Sequence, residues 1–187
     1  MSEYGPWTPV PIFQHEAEFE QLLDIYISLA PKAVLEIGSY HGGTMYHWLT
    51  NAKPGTVVVS VDNFETRVDN TRLYQEWCPQ GVEFEVIRGD SRTDNVYQQV
   101  AGKHPYDFVF IDASHLYTDV KSDWDSYGPN LVHKGVVALH DILPGNGHPE
   151  IEVHLLWREI RADGYTTREL VDDPDADWGG IGCVFIP

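Results

Sequence analysis

The stretch from Tyr106 to Asp141, YDFVFIDASHLYTDVKSDWDSYGPNLVHKGVVALHD, reads as a strand, a helix and a second strand. YDFVFID (106–112) is apolar up to a terminal acid, and GVVALHD (135–141) repeats that form. Between them Tyr117, Val120, Trp124, Tyr127 and Leu131 recur at helical spacing, with Lys121 and Asp123 assigned to the far face. Strands that are apolar on both faces, joined through a helix, belong to a mainly parallel sheet covered by helices on two sides.

The same alternation extends in both directions. AVLEIG (33–38), TVVVSVD (56–62) and VEFEVIRGD (82–90) are three earlier strands. Helices are predicted over about 15–29, 42–51, about 65–77 and 93–102, the first from Phe19, Leu22, Leu23, Tyr26 and Leu29. Ile151, Leu155 and Ile160 mark another helix. YTTRELV (165–171) and IGCVFIP (181–187) close the chain as strands joined by the acidic loop DDPDADWGG. The expectation is a single α/β domain over 1–187, a doubly wound Rossmann-like sheet (31–187) preceded by an N-terminal segment and helix (1–30).

Composition narrows the function. The 187 residues carry 12 basic and 29 acidic side chains, a net charge of −17, which disfavours nucleic-acid and anionic-membrane partners. No apolar run approaches the roughly 20 residues needed to cross a bilayer. MSEYGPWTPVP lacks the basic start and apolar core of a signal peptide. Cys78 and Cys183 have no metal spacing, and a reducing, cytoplasmic setting is expected.

In an open parallel sheet, ligands bind beyond the carboxyl ends of the strands. Those ends read Glu36-Ile37-Gly38, Asp62-Asn63, Asp90-Ser91, Asp112 and His140-Asp141, each with an acid. In the first loop, EIGSYHGGT (36–44), Gly38, Gly42 and Gly43 let a ligand approach the backbone, with Ser39 and Tyr40 between them. The loop is neither GxGxxG nor a P-loop. So many carboxylates, with no base nearby in sequence, repel a pyrophosphate and favour a cation. S-adenosylmethionine fits: it has a sulfonium, an ammonium, a ribose diol and no phosphate, and its carboxylate suits backbone N–H groups at a helix start. Asp62, 24 residues after Gly38, can accept both ribose hydroxyls, as in NAD-binding folds. Asp90 and Ser91 suit either the adenine amino group or the cap of the next helix.

VLEIGSYHGGT, VVSVDNF, VIRGDS, the 106–141 stretch and the closing GGIGCVFI together resemble class I S-adenosylmethionine-dependent methyltransferases, in particular methyltransferase family 24. DILPGNGHPE is similar to the cephalosporin-hydroxylase and rhamnosyl O-methyltransferase group. The resemblance runs from about residue 31 to the end. It implies a seven-stranded sheet with an antiparallel last strand, and O-methylation of a small molecule. In metal-dependent relatives of the catechol type, acids at the ends of strands four and five hold magnesium, which lowers the pKa of the acceptor hydroxyl. That implies Asp112 and Asp141 as ligands, with His140 beside them. His-Asp in place of the catechol type's Asp-Asn moves metal preference toward manganese, iron or zinc.

A second mechanism needs no metal: His115 takes the acceptor's proton, oriented by Asp112, with His140 as another candidate base. Among the aromatics, Tyr117, Trp124 and Tyr127 read as core. Trp48, Phe64 and Trp77 are freer, and Phe64 is near enough to Asp62 to touch adenine. His41 can line the cofactor loop and His148 the acceptor loop. EYGPWTPVPIF and a partner subunit are expected to complete the site, making the protein a homodimer or larger. Two alternatives remain at this stage. A nicotinamide-dependent oxidoreductase lacks support from GxGxxG or Tyr-x-x-x-Lys. A non-catalytic S-adenosylmethionine-binding module would keep the cofactor half alone.

Overall fold

The structure, a computed structural model, describes residues 8–63, 71–103, 105–145 and 147–187. In chain order these form α1 (Glu16–Leu29), β1 (Ala33–Ile37), α2 (Gly43–Asn51), β2 (Val57–Asp62), α3 (Thr71–Trp77), β3 (Glu83–Arg88), α4 (Asp94–Ala101), β4 (Tyr106–Ile111), α5 (Tyr117–Tyr127), β5 (Val132–His140), α6 (Val153–Ala162), β6 (Thr166–Leu170) and β7 (Ile181–Ile186). All seven strands lie in one sheet of order β3-β2-β1-β4-β5-β7-β6. β7 runs antiparallel to both its neighbours, and the pairings among the first five strands are parallel. The expected Rossmann-like sheet with a reversed last strand is therefore what forms.

Strand alternation divides the core. On one face Leu35, Val59, Val109 and Val137 meet Val100, Val120, Tyr127, Leu156 and Ile160 from α4, α5 and α6. On the other, Val34, Val58, Phe108 and Val136 meet Phe19, Leu22, Tyr26, Met45, Trp48 and Tyr74 from α1, α2 and α3. Trp48 packs between Tyr26 and Phe108 at centroid distances of 4.9 and 5.0 Å, so it belongs to the core and not to a ligand site. Among the described residues no helix is long and apolar enough to cross a membrane.

Of the helix foreseen over about 65–77 the described part, Thr71–Trp77, is helical, and Phe64 lies outside the described residues. Two local expectations change. β5 starts at Val132, three residues earlier than its apolar run. Its register against β4 shifts between Tyr106 and Phe108, where Gly135 passes the Asp107 carbonyl so closely that a Cβ would lie 2.0 Å from that oxygen. Asp123 is buried rather than on the outer face, because Val120, Asp123, Trp124 and Tyr127 form one stripe at i, i+3, i+4 and i+7.

The sheet order reverses beside β1, whose neighbours β2 and β4 receive chain from opposite directions, and a crevice opens there. Gly38 ties the three strand ends together. Its N–H donates to the Val61 carbonyl at 2.8 Å, and the Asp112 N–H donates to the Ile37 carbonyl at 2.8 Å. Gly38 has φ +91, and a Cβ there would lie 2.2 Å from the Asp112 carbonyl oxygen. Gly38→Ala is expected to cost about 3 kcal/mol or more in urea unfolding. Gly55→Ala, at φ +87 with nothing within 4 Å of its Cβ position, is the control and costs about 1 kcal/mol.

Candidate active site

A cleft of about 680 Å³ opens at the carboxyl ends of the parallel strands. Its walls are the β1–α2 loop, Asp62-Asn63, Gly89–Arg92, Asp112–His115 and His140-Asp141, with Pro11–Gln14 and Trp178 closing it from the chain ends.

At one end two carboxylates meet. Register places Ile111 opposite Leu139, so Asp112 and Asp141 leave neighbouring strands at nearly the same height. His140 Nδ1 lies 3.2 Å from Asp112 Oδ1 and 3.3 Å from Asp141 Oδ2. Burial alone would depress the His140 pKa, but the charge and hydrogen bonding of Asp112 and Asp141 outweigh it and push the ring up to about 10. His140 is thus an imidazolium at neutral pH. Burial would likewise raise the Asp141 carboxyl. The bond and charge of His140 and the Gly179 N–H instead hold it below its ordinary value. Gly179 N–H donates to Asp141 Oδ1 at 3.1 Å, and Gln14 Nε2 donates to Asp112 Oδ2 at 2.5 Å. Asp141 adopts φ +61, a left-handed turn that brings its carboxylate back over the strand end.

His115 stands at the opening of this cluster, with its side chain 44% exposed and Nε2 3.2 Å from Asp141 Oδ2. One ligand atom each from Asp112, His115 and Asp141 lie within 4.8 Å of one another. Two oxygens and one imidazole nitrogen suit a divalent cation such as magnesium or manganese.

Away from this cluster, Tyr40 N–H donates to Asp62 Oδ2 at 2.8 Å and joins the first loop to the end of β2. At the end of β3, Arg92 is held by Asp90 (2.7 Å) and Asp119 (2.6 Å). Among the described residues lining the cleft, Asp62, Asp90, Asp112, Asp119, Asp123, Asp141 and Glu150 face the single guanidinium of Arg92. A base therefore does line the cleft, contrary to the sequence expectation, but two acids already engage it. The field favours a cationic ligand.

A family model described as a methyltransferase domain matches residues 35–142, more than half of the chain. The chain belongs to this methyltransferase family. No curated protein matches it. Solved structures do. The O-methyltransferase from Bacillus cereus in complex with SAH is 20% identical, with a TM-score of 0.67 over 93% of this chain and 82% of that one. The O-methyltransferase TomG of Streptomyces achromogenes, involved in tomaymycin synthesis and solved with SAM, is 17% identical, with a TM-score of 0.66 over 100% of both chains. The MycE methyltransferase of the mycinamycin pathway, in complex with Mg and SAH, is 17% identical, with a TM-score of 0.59 over 89% of this chain and 48% of that one. At these identities the likeness establishes the shared fold. Family membership sets aside the oxidoreductase alternative.

Most of the residues foreseen for the cofactor line the methyltransferase's cleft: Gly38, Ser39, Tyr40, Asp62, Asn63, Asp90, Ser91 and Asp112. Glu36 and Gly42 do not. Glu36 is fully buried beneath the loop, accepting from Trp48 Nε1 at 3.2 Å, and its Oε2 has no hydrogen-bond partner. Gly42 shapes the loop, with φ +84 and its N–H bonded to the Ser39 carbonyl. Asp112, His115 and His140 come together as foreseen, but Asp141, not Asp112, contacts the His115 ring. His115 replaces His140 in the cluster of metal-type ligand atoms, because His140 lies between the carboxylates as their counterion. Asp90 does not cap α4: its side chain accepts from Arg92 N–H and guanidinium, while Thr93 takes the N-cap position. His41 and His148 line the cleft, whereas Trp77 packs against Tyr46 and Tyr74.

Sequence reasoning missed Gln14, Arg92, Trp178 and Gly179. The Gly179-Gly180 pair, at φ +102 and +76, was the available signal for a close backbone approach.

Burial raises the Glu36 carboxyl to about 8, against hydrogen bonding from Thr44 and Trp48. Between pH 4.5 and 8 the unfolded chain therefore releases this proton while the native state keeps it. The native state binds more protons in that window, so stability falls as pH rises through it. Glu36→Gln is expected to flatten the decline, gaining a few kcal/mol relative to the native protein at pH 8 in chemical unfolding. An unchanged pH profile would contradict the buried, protonated Glu36.

Proposed function

We propose that the cleft binds S-adenosylmethionine and passes its methyl group to the hydroxyl oxygen of a small-molecule acceptor. The observation that carries this reading is the convergence of Asp112, His115 and Asp141 at one end of a cleft that also presents Asp62 and the Gly38–Gly43 loop. SAM and SAH in the Streptomyces and Bacillus structures of the same fold support it.

Asp62 suits the ribose hydroxyls, its carboxylate already fixed in direction by the Tyr40 N–H. The first backbone N–H groups of α2 suit the cofactor's carboxylate. The bound cofactor supplies an electrophilic methyl on a positively charged sulfur. His115 is open to solvent on the acceptor side and receives the hydroxyl proton as the new oxygen–carbon bond forms and sulfur keeps the electron pair of the bond that breaks. Asp141 stabilises the resulting imidazolium. His140 and Gln14 hold Asp112, and Gly179 holds Asp141, so the acidic pair does not reorganise during transfer. Alignment of oxygen, carbon and sulfur supplies much of the rate.

Asp112, His115 and Asp141 would also hold a divalent metal, whose chemistry there is to lower the acceptor's pKa. The magnesium in the MycE complex favours this arrangement. His140, seated between the same carboxylates at 3.2 and 3.3 Å, supports the metal-free alternative.

The test is methyl transfer from labelled S-adenosylmethionine to a panel of phenolic, sugar and polyketide hydroxyls. His115→Ala is expected to lower kcat by about 10²–10⁴ on any acceptor found. Native rate in that variant would remove His115 from the reaction. Loss of rate in EDTA with recovery on adding manganese assigns the proton's release to a metal-assisted step, and an unchanged rate assigns it to His115 alone.

A further inference from the structure

One buried acid outside the cleft bears on the cleft's reactive end. Glu18, in the first turn of α1, is fully buried. Its two oxygens serve two backbone donors remote in the chain. Oε1 accepts from the Asp172 N–H at 3.1 Å, and Oε2 from the Gly180 N–H at 2.8 Å. Asp172 and Gly180 stand near the two ends of the connection from β6 to β7. A single side chain on α1 therefore pins both feet of that connection. Burying a carboxylate is unfavourable unless donors replace water, and an ionised carboxylate, being acceptor-only with two oxygens, can serve both feet at once.

The pinned connection supplies two parts of the reactive end. Gly179 gives its N–H to Asp141 Oδ1 at 3.1 Å, and Trp178 lines the cleft with its ring 6.2 Å from that of His140. The peptide joining Gly179 to Gly180 is held at both edges: its carbonyl accepts from the Leu143 N–H at 3.0 Å, and its N–H is the one given to Glu18. The preceding peptide, which carries the N–H given to Asp141, hangs from this fixed one through the φ of Gly179, a glycine at +102. The start of α1 is seated directly on the pair. A Cβ at Gly179 would lie 3.4 Å from both Glu18 Oε2 and His15 Nε2, and the His15 ring packs 4.4 Å from that of Trp178.

We propose that Glu18 is a positioning residue for methyl transfer: by pinning Asp172 and Gly180 it sets the Gly179 N–H against Asp141 and Trp178 against the reactive end of the cleft. It acts through the connection and touches neither cofactor nor acceptor. This rests on the S-adenosyl reading of the cleft. Gly38–Tyr40, Asp62 and Asp90, which serve the cofactor in that reading, stand at the ends of β1, β2 and β3, away from the connection. Glu18 therefore governs transfer and not cofactor affinity.

The test uses Glu18→Gln, which keeps the shape with one acceptor oxygen, and Glu18→Asp, which keeps the charge one methylene short. Whichever variant folds carries it. Amide hydrogen exchange is read first, since it needs no acceptor. Exchange at Gly179 and Gly180 is expected to quicken about tenfold or more, while the Gly38 amide, bonded to the Val61 carbonyl in the cofactor half, keeps its native rate. Affinity for S-adenosylhomocysteine in calorimetry stays within about twofold of native. On an acceptor found in the panel, kcat falls about tenfold or more. Native exchange at Gly179 and Gly180 overturns the proposal. Equal quickening at Gly38 also overturns it, because it marks a general loss of stability. So does a native kcat, or an affinity that falls in step with kcat. A native protein that does not bind S-adenosylhomocysteine overturns the S-adenosyl reading, and the role in transfer falls with it whatever the exchange shows.

Discussion

One imidazolium holds the reactive end of this protein together. Asp112 and Asp141 leave adjacent parallel strands about 5 Å apart, where two buried carboxylates would repel each other strongly. His140 Nδ1 lies 3.2 Å from one and 3.3 Å from the other and supplies the charge between them. The remaining oxygens are met by Gln14 from the N-terminal segment and by the Gly179 backbone from the loop before β7. Chain from both ends is thus drawn to the same pair of acids, which closes the cleft and leaves His115 as the member of the cluster that faces outward.

The same economy governs the rest of the cleft. Three more of its acids are engaged by short-range partners: Asp62 by a backbone N–H, Asp90 and Asp119 by Arg92. Their summed field nevertheless stays negative and selects a cationic ligand over a phosphate-bearing one. Glu36, directly under the first loop, avoids adding to that charge by remaining protonated up to about pH 8. A neutral acid there fills the space below the Gly38 turn and receives the Trp48 indole N–H without repelling Asp62 and Asp112.

Much of this was legible in the sequence, and the reasons differ by residue. The sheet followed from apolar runs ending in acids, and the family from FIDASH, LHD and the first loop. The pairing of Asp112 with Asp141 followed once β4 and β5 were neighbours. Asp123 was misassigned because an acid was taken as a surface residue, although its spacing from Val120, Trp124 and Tyr127 put it on the buried stripe. Gln14 and Trp178 carry no periodic signal, since they lie in irregular segments brought to the cleft by tertiary packing. The hydrogen bond between Gly179 and Asp141 was hidden for the same reason, being a backbone contact 38 residues apart in the chain. The partner of His115 was misjudged because proximity in sequence favoured Asp112, whereas the turn at Asp141 carries its carboxylate to the ring.

The central claim is that the cleft orients an S-adenosyl cofactor with its sulfur toward the Asp112–His115–Asp141 cluster. A crystal structure of the protein grown with S-adenosylhomocysteine tests this most directly. The account predicts the ribose hydroxyls on Asp62, the amino-acid carboxylate at the start of α2, and the sulfur facing His115 across the space for an acceptor oxygen. A ligand seated outside the cleft, or with its ribose away from Asp62 and its sulfur turned from His115, would contradict it.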